Sequence, residues 1–538
     1  MGASDRKMTF LKGAAILGIA GIIIKLLGAV FRIPLANLIG DVGMGYYNGA
    51  YPIYVFLLTL STAGIPTAIS KLISERLAVN ENQEAHRVFR VSFLLLFIIG
   101  LSTTSILFFG AEYICEMVGN PGAYYAMRAI SPALLFVPIM AAFRGYFQGM
   151  QNMSPTATSQ VVEQLFRVFF GLTLAFYLFP VGLEFAAAGA SSGAAFGGLF
   201  GGIGIIIVYM KKKKQIRQGI RQGVIRTRES VGTILRKILI IAVPVTIGAS
   251  IMPIMNLIDM ALVMNRLQTA AGFTEEAATA LYGQLSGMVG AIINFPQVLS
   301  MSIAMSLVPV VSAAYKRKET AFLQKNVELG VRTSALIGLP CAFGLMVLAE
   351  PIMLLLYPMQ KASAVSAAPC LFIMAIGVVF LSIVQTLTGV LQGLGRPSVP
   401  VMNLAIGAVA KIICTYTLVG IPSINVKGAA LGTTAAYAIA AALDFIAVKA
   451  YTKTRFNLSM TFLKPFAAAV LMAVCVHFAY LVFEMIAGNS IATLLSVAVG
   501  VGVYALAMLL IKGVTEEELR MLPKGEKLAR ALKKIQRK

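Results

Sequence analysis

Residues 10–39 read FLKGAAILGIAGIIIKLLGAVFRIPLANLI, a run that is long and apolar enough to cross a lipid bilayer as one helix. Lys25 and Arg32 interrupt this run seven residues apart, which places them near one helix face, about 10 Å apart along the axis. A cation at mid-bilayer costs roughly 2.5 kcal/mol or more where it faces lipid. We therefore expect that face to turn toward a cationic, water-filled cavity inside the membrane, which would attract an anion.

The composition of the whole chain agrees with a membrane protein. Of its 538 residues, 58% are hydrophobic and 12% are charged, and the mean hydropathy is +0.83. A soluble protein of this size carries about twice that share of charge. The net charge of +23 does not indicate nucleic-acid binding, because the cations lie mostly in short loops between apolar runs, as the positive-inside rule expects.

The chain contains about fourteen apolar runs, so the predicted fold is an all-α polytopic membrane protein with about fourteen transmembrane helices. The runs are 10–39, 46–72, 88–109, 123–147, 156–180, 185–210, 238–265, 277–313, 330–349, 364–392, 398–421, 427–449, 461–486 and 490–511. Every second loop is rich in Lys and Arg, and most of the others carry acids. This alternation predicts a multi-pass cell-membrane protein with both termini in the cytoplasm.

The two halves of the chain resemble each other at a fixed offset. Gln148-Gly149 recurs as Gln392-Gly393, Pro52 recurs as Pro296, and Arg167 recurs as Lys411, each 244 residues further along. This pattern predicts two pseudo-symmetric six-helix lobes that arose by duplication. The predicted order is an N-terminal lobe, a basic cytoplasmic linker, a C-terminal lobe, two further helices and a basic cytoplasmic tail that forms a short amphipathic helix: 1–210, 211–237, 238–449, 450–511 and 512–538.

Three segments resemble a known family. They are TFLKGAAILGIAGIIIKLLG at 9–28, STAGIPTAISKLISE at 61–75 and LQGLGRPSVPVMN at 391–403. With the six-plus-six-plus-two layout, they resemble the polysaccharide-transport branch of the multidrug/oligosaccharidyl-lipid/polysaccharide exporter superfamily. The match is to the MurJ-like lipid II flippases and the stage V sporulation protein B group. The resemblance implies transport of undecaprenyl-diphosphate-linked sugars, most specifically the peptidoglycan precursor lipid II, from the inner to the outer leaflet.

Lys25 and Arg32 stand where the resemblance implies two first-helix arginines in the cavity. The sequence departs from that family elsewhere. Phe56 and Leu57 occupy positions where second-helix arginines are expected, and Ala291 and Asn294 replace a charged pair of the eighth helix. Fewer of the family's cations are therefore present. The residues thus support the general class of lipid-linked sugars more strongly than lipid II in particular.

The residues themselves predict an anion site, and the resemblance implies that the anion is a diphosphate. Five intramembrane cations are its candidate ligands: Lys25, Arg32, Arg144, Arg167 and Lys411. Snorkelling of a long side chain to the membrane surface is the alternative for Lys25, Arg32 and Arg144. An ion pair that only lowers the cost of insertion is the alternative for Arg167, because Glu163 lies four residues earlier on its helix. Lys411 has no acidic neighbour at helical spacing and needs a cross-helix partner or a ligand.

The remaining candidates concern gating and the cavity wall. Asp259 and Glu163 are intramembrane carboxylates that could close a gate against a cation or bind a coupling ion, Na⁺ or H⁺. Asn294 and Gln297 flank Phe295-Pro296, where a broken eighth helix is expected to line the cavity. No catalytic set, metal-ligand spacing or Walker motif emerges, so we expect a transporter, acting as a monomer, with no metal or other cofactor.

Three functions compete on this basis. The first is a flippase that works by alternating access on a lipid-linked sugar diphosphate, either lipid II or another lipid-linked oligosaccharide of the teichoic acid or capsule type. The second is a cation-coupled multidrug exporter of the same superfamily, which needs intramembrane carboxylates. The third is a membrane glycosyltransferase or polymerase, which needs catalytic acids on outer loops that look too short for it.

Overall fold

The computed structural model describes residues 3–222 and 229–513, and no β-strand occurs within those ranges. The helices that form the first part of the chain are α1 (Ala3–Thr62), α2 (Ile65–Ala78), α3 (Asn82–Val118), α4 (Tyr124–Ile130), α5 (Ala133–Gly149), α6 (Ser154–Leu178), α7 (Leu183–Gln222), α8 (Val231–Thr269) and α9 (Glu275–Gly283). They are followed by α10 (Gly290–Lys316), α11 (Thr320–Val347), α12 (Ala349–Leu356), α13 (Lys361–Gly393), α14 (Ser398–Val419), α15 (Lys427–Thr452) and α16 (Lys464–Leu510). The predicted all-α membrane fold is confirmed.

Two of the helices are too long to cross a bilayer once. α1 has 60 residues and α16 has 47, so each is at least twice as long as the roughly 30 Å of a bilayer core. Each contains one glycine with a left-handed backbone, Gly40 (φ 69°) and Gly488 (φ 71°), where the helix direction breaks. Twelve helical segments of the described chain are long and apolar enough to span a membrane. The count of fourteen transmembrane helices stays a prediction. Fourteen crossings result if α1 and α16, each broken at a glycine, cross the membrane twice.

The chain forms two compact units. The first comprises the residues up to 292 together with 414–429, and the second comprises 293–413 and the chain from 430 onward. These bounds follow from which residues pack against one another. They do not show where a duplicated segment begins or ends. The five-part division expected from the sequence therefore remains a prediction.

The first unit has an apolar core built from α2, α3, α5, α7 and α8. Its fully buried members include Ile69, Ile73, Leu96, Phe147 and Ile234. Aromatic rings pack beside it at one end, where Phe89 lies 4.7 Å from Tyr146 between ring centroids. This core fixes α5, and therefore Arg144, relative to α2.

The same helix contact occurs once in each unit. In the first, a methyl group added at Gly145 or Gly149 of α5 would lie 3.0 Å from the carbonyl oxygens of Pro66 and Ser70, respectively. In the second, methyl groups on Gly389 and Gly393 of α13 would lie 2.7 and 2.9 Å from the carbonyl oxygens of Ala304 and Val308, respectively. The glycines are 244 residues apart and their partners are 238 apart, so each unit repeats one glycine-mediated packing of two helices.

The eighth apolar run differs from its expected form. α10 continues as a helix through Asn294, Phe295, Pro296 and Gln297, so the break expected there is wrong. The irregular segment lies just before α10, where Gln284–Val289 form a short π-helix. Such bulges relieve strain in a helix and are frequent at functional sites.

The expected C-terminal amphipathic helix at 512–538 falls almost wholly outside the described residues, as do positions 223–228 of the basic linker. The described part of the linker includes the end of α7, which remains helical as far as Gln222. α7 has 40 residues and is longer than one membrane crossing requires. Its basic final part therefore extends beyond the apolar run that ends near 210.

An ion-pair network joins α2 to the residue that follows the undescribed part of the linker. Arg76 is 6% exposed and donates to Glu229 Oε2 at 2.7 Å, while Lys237 Nζ of α8 lies 2.6 Å from Glu229 Oε1. Burial alone would raise the pKa of the Glu229 carboxyl. The hydrogen bond from Lys237 and the charge of Arg76 outweigh burial and hold the pKa below its ordinary value of 4.5.

We expect Glu229→Gln to lower thermal stability at neutral pH, because it leaves the buried Arg76 guanidinium without its carboxylate. The pKa of Glu229 is lower in the folded than in the unfolded protein, so its stabilisation is complete above 4.5 and is lost as the pH falls through the folded-state value. The difference between wild type and variant should shrink below pH 4.5. Unfolding midpoints of the detergent-purified protein across this range check it. Glu112→Gln, at an exposed carboxylate, serves as the control.

A long and close helix contact in the first unit joins α6 and α7. Gly193, Gly197 and Gly201 of α7 face α6 at intervals of four residues, and a methyl group on Gly197 would lie 2.5 Å from the Glu163 carbonyl oxygen. Small residues at this spacing let two membrane helices approach closely. The packing positions Glu163 and Arg167, both of which lie on α6.

We expect Gly197→Ala to destabilise the protein by about 1–3 kcal/mol, because the added methyl group forces α6 and α7 apart. Gly204→Ala on the same helix is the matched control, since a methyl group there meets no atom within 4 Å. Alanine is also the better helix former, so the control should be neutral or slightly stabilising. Equal unfolding midpoints for the two variants would contradict the close contact.

Candidate substrate-binding site

A buried ion cluster lies between α5 and α6 in the first unit and consists of Arg144, Ser159, Glu163 and Arg167. Arg144 donates to Glu163 Oε2 at 2.9 Å through Nη2 and to Ser159 Oγ at 2.9 Å through Nε. Arg167 Nη2 lies 3.8 Å from the other carboxylate oxygen, Glu163 Oε1. The expected Glu163–Arg167 pair is therefore present, but the shorter contact of Glu163 is with Arg144.

The buried ion cluster carries an excess of positive charge. Its two arginines and one glutamate sum to +1, and their side chains are only 12–16% exposed. Arg167 Nε is buried and has no hydrogen-bond partner among the described residues. A buried guanidinium with an unused donor beside a single carboxylate can bind a second anion.

Three tyrosines of α1 extend the cluster. Tyr47, Tyr51 and Tyr54 form a continuous row, with ring centroids 5.9 Å apart from each ring to the next. All three hydroxyl groups lie within electrostatic range of Arg167. The row therefore supplies hydroxyl groups, which can donate to phosphate oxygens, next to the buried guanidinium.

The sequence reasoning missed this row, although its signal is visible. The spacing of 47, 51 and 54 is i, i+4 and i+7, which places all three side chains on one helix face. Tyrosines repeated on one face of a span that also carries Pro52 would have indicated a polar surface inside the protein.

Arg32 is joined to the same row. Its guanidinium carbon lies 5.8 Å from the centroid of the Tyr51 ring, and its Nη1 contacts the Ser286 carbonyl oxygen at 3.5 Å. Ser286 belongs to the π-helix. Arg32 also acts electrostatically on Tyr282 of α9, as does Asp259 of α8. The structure thus brings Arg32, Arg144, Glu163 and Arg167 into one region of the first unit, with Asp259 beside Tyr282.

Lys25 lies on α1 near the cluster but is exposed, and it forms no ion pair with any described residue. It is two helical turns from Arg32, and Gly28 between them faces Gln164 of α6, with 3.8 Å from an added methyl group to Nε2. Lys25 therefore projects from the same helix that contacts the cluster. It does not belong to the hydrogen-bonded group itself.

The other predicted site residues lie in the second unit. Lys411 is half-buried on α14, and Asn294 and Gln297 are half-buried on α10. Their convergence with the cations of the first unit on one cavity stays a prediction. No group of three or more His, Cys, Asp or Glu side chains that could hold a metal ion occurs in the described ranges.

The part of α1 that follows its break at Gly40 packs closely against α9. Gln284 Nε2 donates to Asp41 Oδ2 at 2.8 Å, and methyl groups on Gly45 or Gly283 would overlap the facing backbone. Asp41 also accepts from the backbone N–H of Val42 at 2.8 Å. This contact holds α9 and the following π-helix, which carry Tyr282 and Ser286, against the helix that carries Arg32.

Comparison with known proteins identifies the family. The model of the family described as "Polysaccharide biosynthesis protein" matches residues 10–315, which is more than half of the chain. The chain belongs to this family. A second model, MatE, matches residues 244–417. The predicted membership in the exporter superfamily is confirmed, and the chain is a multi-pass membrane transporter, not an enzyme.

Full-length relatives agree with this assignment. The chain is 30% identical to the uncharacterized membrane protein YabM of Bacillus subtilis over 536 residues, covering 97% of this chain and 96% of the relative. It is 29% identical to stage V sporulation protein B of the same organism over 523 residues, covering 96% and 98%. A solved structure titled "Lipid II flippase MurJ, inward closed conformation" superposes with a TM-score of 0.70 at 17% identity, covering 92% and 98%. That structural likeness shows the shared fold.

We expect Glu163→Gln to destabilise the protein by about 3–5 kcal/mol, because two buried arginines then face each other with no charge between them. Ser159→Ala removes only one neutral partner of Arg144 and should cost about 1 kcal/mol. Thermal unfolding of both variants in detergent measures the difference. Glu350→Gln, at an exposed carboxylate, should leave the unfolding midpoint unchanged. A Glu163→Gln variant as stable as wild type would show that the carboxylate does not compensate the arginines.

Proposed function

We propose that this protein is a flippase that moves an undecaprenyl-diphosphate-linked sugar from the inner to the outer leaflet by alternating access. The observation that carries the proposal is the buried ion cluster: inside a membrane-spanning unit, two arginines share a single carboxylate. Such a cluster is costly unless it serves a function, and the anionic diphosphate is the ligand that compensates its charge.

The diphosphate has the chemistry that this site can bind. Guanidinium groups bind phosphate oxygens through two parallel N–H donors. Arg167 Nε, which forms no hydrogen bond with any described residue, supplies a further donor. The Tyr47–Tyr54 row supplies neutral donors beside it. In this proposal Arg32, Arg144 and Arg167 hold the diphosphate, Glu163 orients both cluster arginines, and the polyprenyl tail remains in lipid.

The predicted site residues of the second unit and Lys25 keep their roles in this proposal. Lys411 would add a point charge to the diphosphate, and Asn294 and Gln297 would line the path of the sugar. Lys25, which is exposed on α1, would contact the sugar-diphosphate headgroup of the substrate as the headgroup enters the site. After the substrate is released, the membrane potential would help to return the empty, positively charged site to the inner side of the membrane. The energy available is about 2.3 kcal/mol per elementary charge per 100 mV.

Lipid II is the specific substrate that we propose. The solved structure of similar fold is titled a lipid II flippase, and one full-length relative is a sporulation protein, which fits delivery of a peptidoglycan precursor. A lipid-linked oligosaccharide of the teichoic acid or capsule type has the same diphosphate and would use the same cluster. We propose a monomer in the cell membrane, with both termini in the cytoplasm and Na⁺ or H⁺ as coupling ion.

A cation-coupled multidrug exporter is the second candidate, and the MatE match over 244–417 favours it. Such an exporter would bind a cationic substrate through carboxylates, and Asp259 is available for this role. The charge balance opposes it, because Lys25, Arg32, Arg144 and Arg167 outnumber Glu163 and Asp259 in the first unit. A cationic drug would be repelled by that excess.

We expect Arg167→Gln and Lys25→Glu to reduce flipping of a fluorescent undecaprenyl-diphosphate sugar in proteoliposomes, with Arg167→Gln lowering apparent affinity by about 10- to 100-fold. This factor corresponds to the 1.5–3 kcal/mol of one hydrogen bond to a charged group. Lys71→Gln removes a cation of the same unit outside the cluster, where Lys71 is 60% exposed, and should flip normally.

Normal flipping by Arg167→Gln and Lys25→Glu, with loss of cationic dye export in Asp259→Asn, would favour the exporter instead. Depletion of the protein in cells identifies the substrate, because the lipid-linked precursor that it carries should accumulate on the cytoplasmic leaflet. Accumulation of lipid II supports the specific proposal, and accumulation of another lipid-linked sugar supports only the general one.

A further inference from the structure

The second unit buries one carboxylate inside the membrane. Asp444 lies on α15, eight residues before the helix ends at Thr452, which is about 12 Å along the axis. Its exposed fraction is 0%. Neighbouring positions of α15 belong to an apolar core that includes Ala440, Ala441 and Val448. A carboxyl group at this depth in an apolar core is a candidate functional site.

The hydrogen bonds of Asp444 are incomplete. Asn403 of α14 donates through Nδ2 to Asp444 Oδ1 at 2.8 Å. Asp444 Oδ2 is buried and has no hydrogen-bond partner in the part of the chain that the structure describes. An ionised carboxylate can accept several hydrogen bonds, and here one of its two oxygens receives none.

In the described residues, no cation forms an ion pair with the Asp444 carboxyl group. α15 packs against α13 and α14, as seen from the Thr434 hydroxyl bonded to the Ile373 carbonyl and from the close approach of Gly407 to Ala436. Its C-terminal end also contacts α11, where Gln324 Nε2 donates to the Thr452 carbonyl oxygen at 3.1 Å. The titratable groups on α13 and α14 are Lys361, Cys370, Lys411, Cys414 and Tyr416. Those on α15 itself are Lys427, Tyr437, Lys449 and Tyr451, and those in the N-terminal half of α11 are Lys325, Glu328 and Arg332. Arg396, between α13 and α14, stacks on α15, with its guanidinium carbon 4.2 Å from the centroid of the Tyr451 ring.

None of these groups forms an ion pair with Asp444 in the described structure. Burial and the Asn403 hydrogen bond are the influences that act on its carboxyl group. Lys449, the nearest cation in sequence, is exposed and lies five residues further along α15. Lys411 lies eight residues after Asn403, about 12 Å along α14.

A carboxyl group in this environment binds a proton. The free energy of placing an unpaired carboxylate in an apolar interior is so unfavourable that such groups become neutral instead. In the neutral form Oδ2 carries the hydrogen, and Oδ1 continues to accept from Asn403. The neutral form thus explains why no described cation pairs with Asp444, and it makes Oδ2 a hydrogen-bond donor.

We propose that Asp444 is a proton-binding site of the transport cycle, protonated when the second unit is closed around it. Opening of the α14–α15 contact to water would release the proton from Oδ2 to the solvent and leave a carboxylate that Asn403 still stabilises. The coupling role rests on the proposed flippase function, whereas the protonation of Asp444 does not.

Protonation is tested on the purified full-length protein without any transport substrate. Dicyclohexylcarbodiimide reacts with protonated carboxyl groups in apolar surroundings, and the modified residue is found by mass spectrometry. Asp444 should be modified at neutral pH, and the infrared carbonyl band of a protonated acid should be present in wild type and absent in Asp444→Asn. An ionised Asp444 at neutral pH overturns the proposal, as does protection from the reagent by Na⁺ at constant pH.

A second variant keeps this test independent of folding in Asp444→Asn. Asn403→Leu retains the carboxyl group but removes the donor that stabilises its charged form. The carbonyl band should therefore persist to higher pH in Asn403→Leu than in wild type. A band that titrates at the same pH in both proteins would show that the Asn403–Asp444 pair does not control the proton.

The coupling role is tested in proteoliposomes with the fluorescent lipid-linked sugar and an imposed pH gradient. The gradient should change the flipping rate of wild type and of Glu350→Gln but not that of Asp444→Asn. An equal response in Asp444→Asn and wild type overturns the coupling role. If wild type moves no lipid-linked sugar at all, the proposed function fails, and the labelling result still decides whether Asp444 holds a proton.

Discussion

The structure depends on one constraint, which is the free-energy cost of placing charge inside a membrane. Each unpaired charge at the centre of a bilayer costs several kcal/mol by the most moderate scales. The first unit meets this cost by sharing one carboxylate, Glu163, between Arg144 and Arg167, and by placing three tyrosine hydroxyl groups within electrostatic range of Arg167. The sharing leaves one positive charge uncompensated, and that residual charge is what a bound anion can neutralise.

The close packing of small residues holds this charge in place. Gly193, Gly197 and Gly201 let α7 approach α6 so closely that Glu163 and Arg167 have fixed backbone positions. On α5, Gly145 and Gly149 do the same for the helix that carries Arg144. The cluster is therefore preorganised by backbone contacts that contain no charge. A rigid site binds an anion with less loss of conformational entropy than a flexible one.

The two units share a scaffold but carry different polar groups. The contacts of Gly145 and Gly149 recur at Gly389 and Gly393, so the helix packing is the same in both. The buried ion cluster belongs to the first unit, whereas the second buries Asp444 with Asn403 and carries Lys411 on α14. In the proposed mechanism, one half binds the anion and the other half binds a proton.

The sequence by itself determined the fold class, because hydropathy and loop charge follow directly from the membrane as solvent. Three of its segments, 9–28, 61–75 and 391–403, carried the resemblance to the family. The sequence also identified the Glu163–Arg167 pair, since residues four apart on a helix must lie on one face. It did not give the shorter Glu163–Arg144 bond, the Tyr47–Tyr54 row beside Arg167 or the burial of Asp444. These depend on which faces of α1, α5, α6, α14 and α15 meet. Only the tertiary structure decides them, because residues distant in sequence become neighbours through the fit of glycine-lined helix surfaces, which hydropathy does not record.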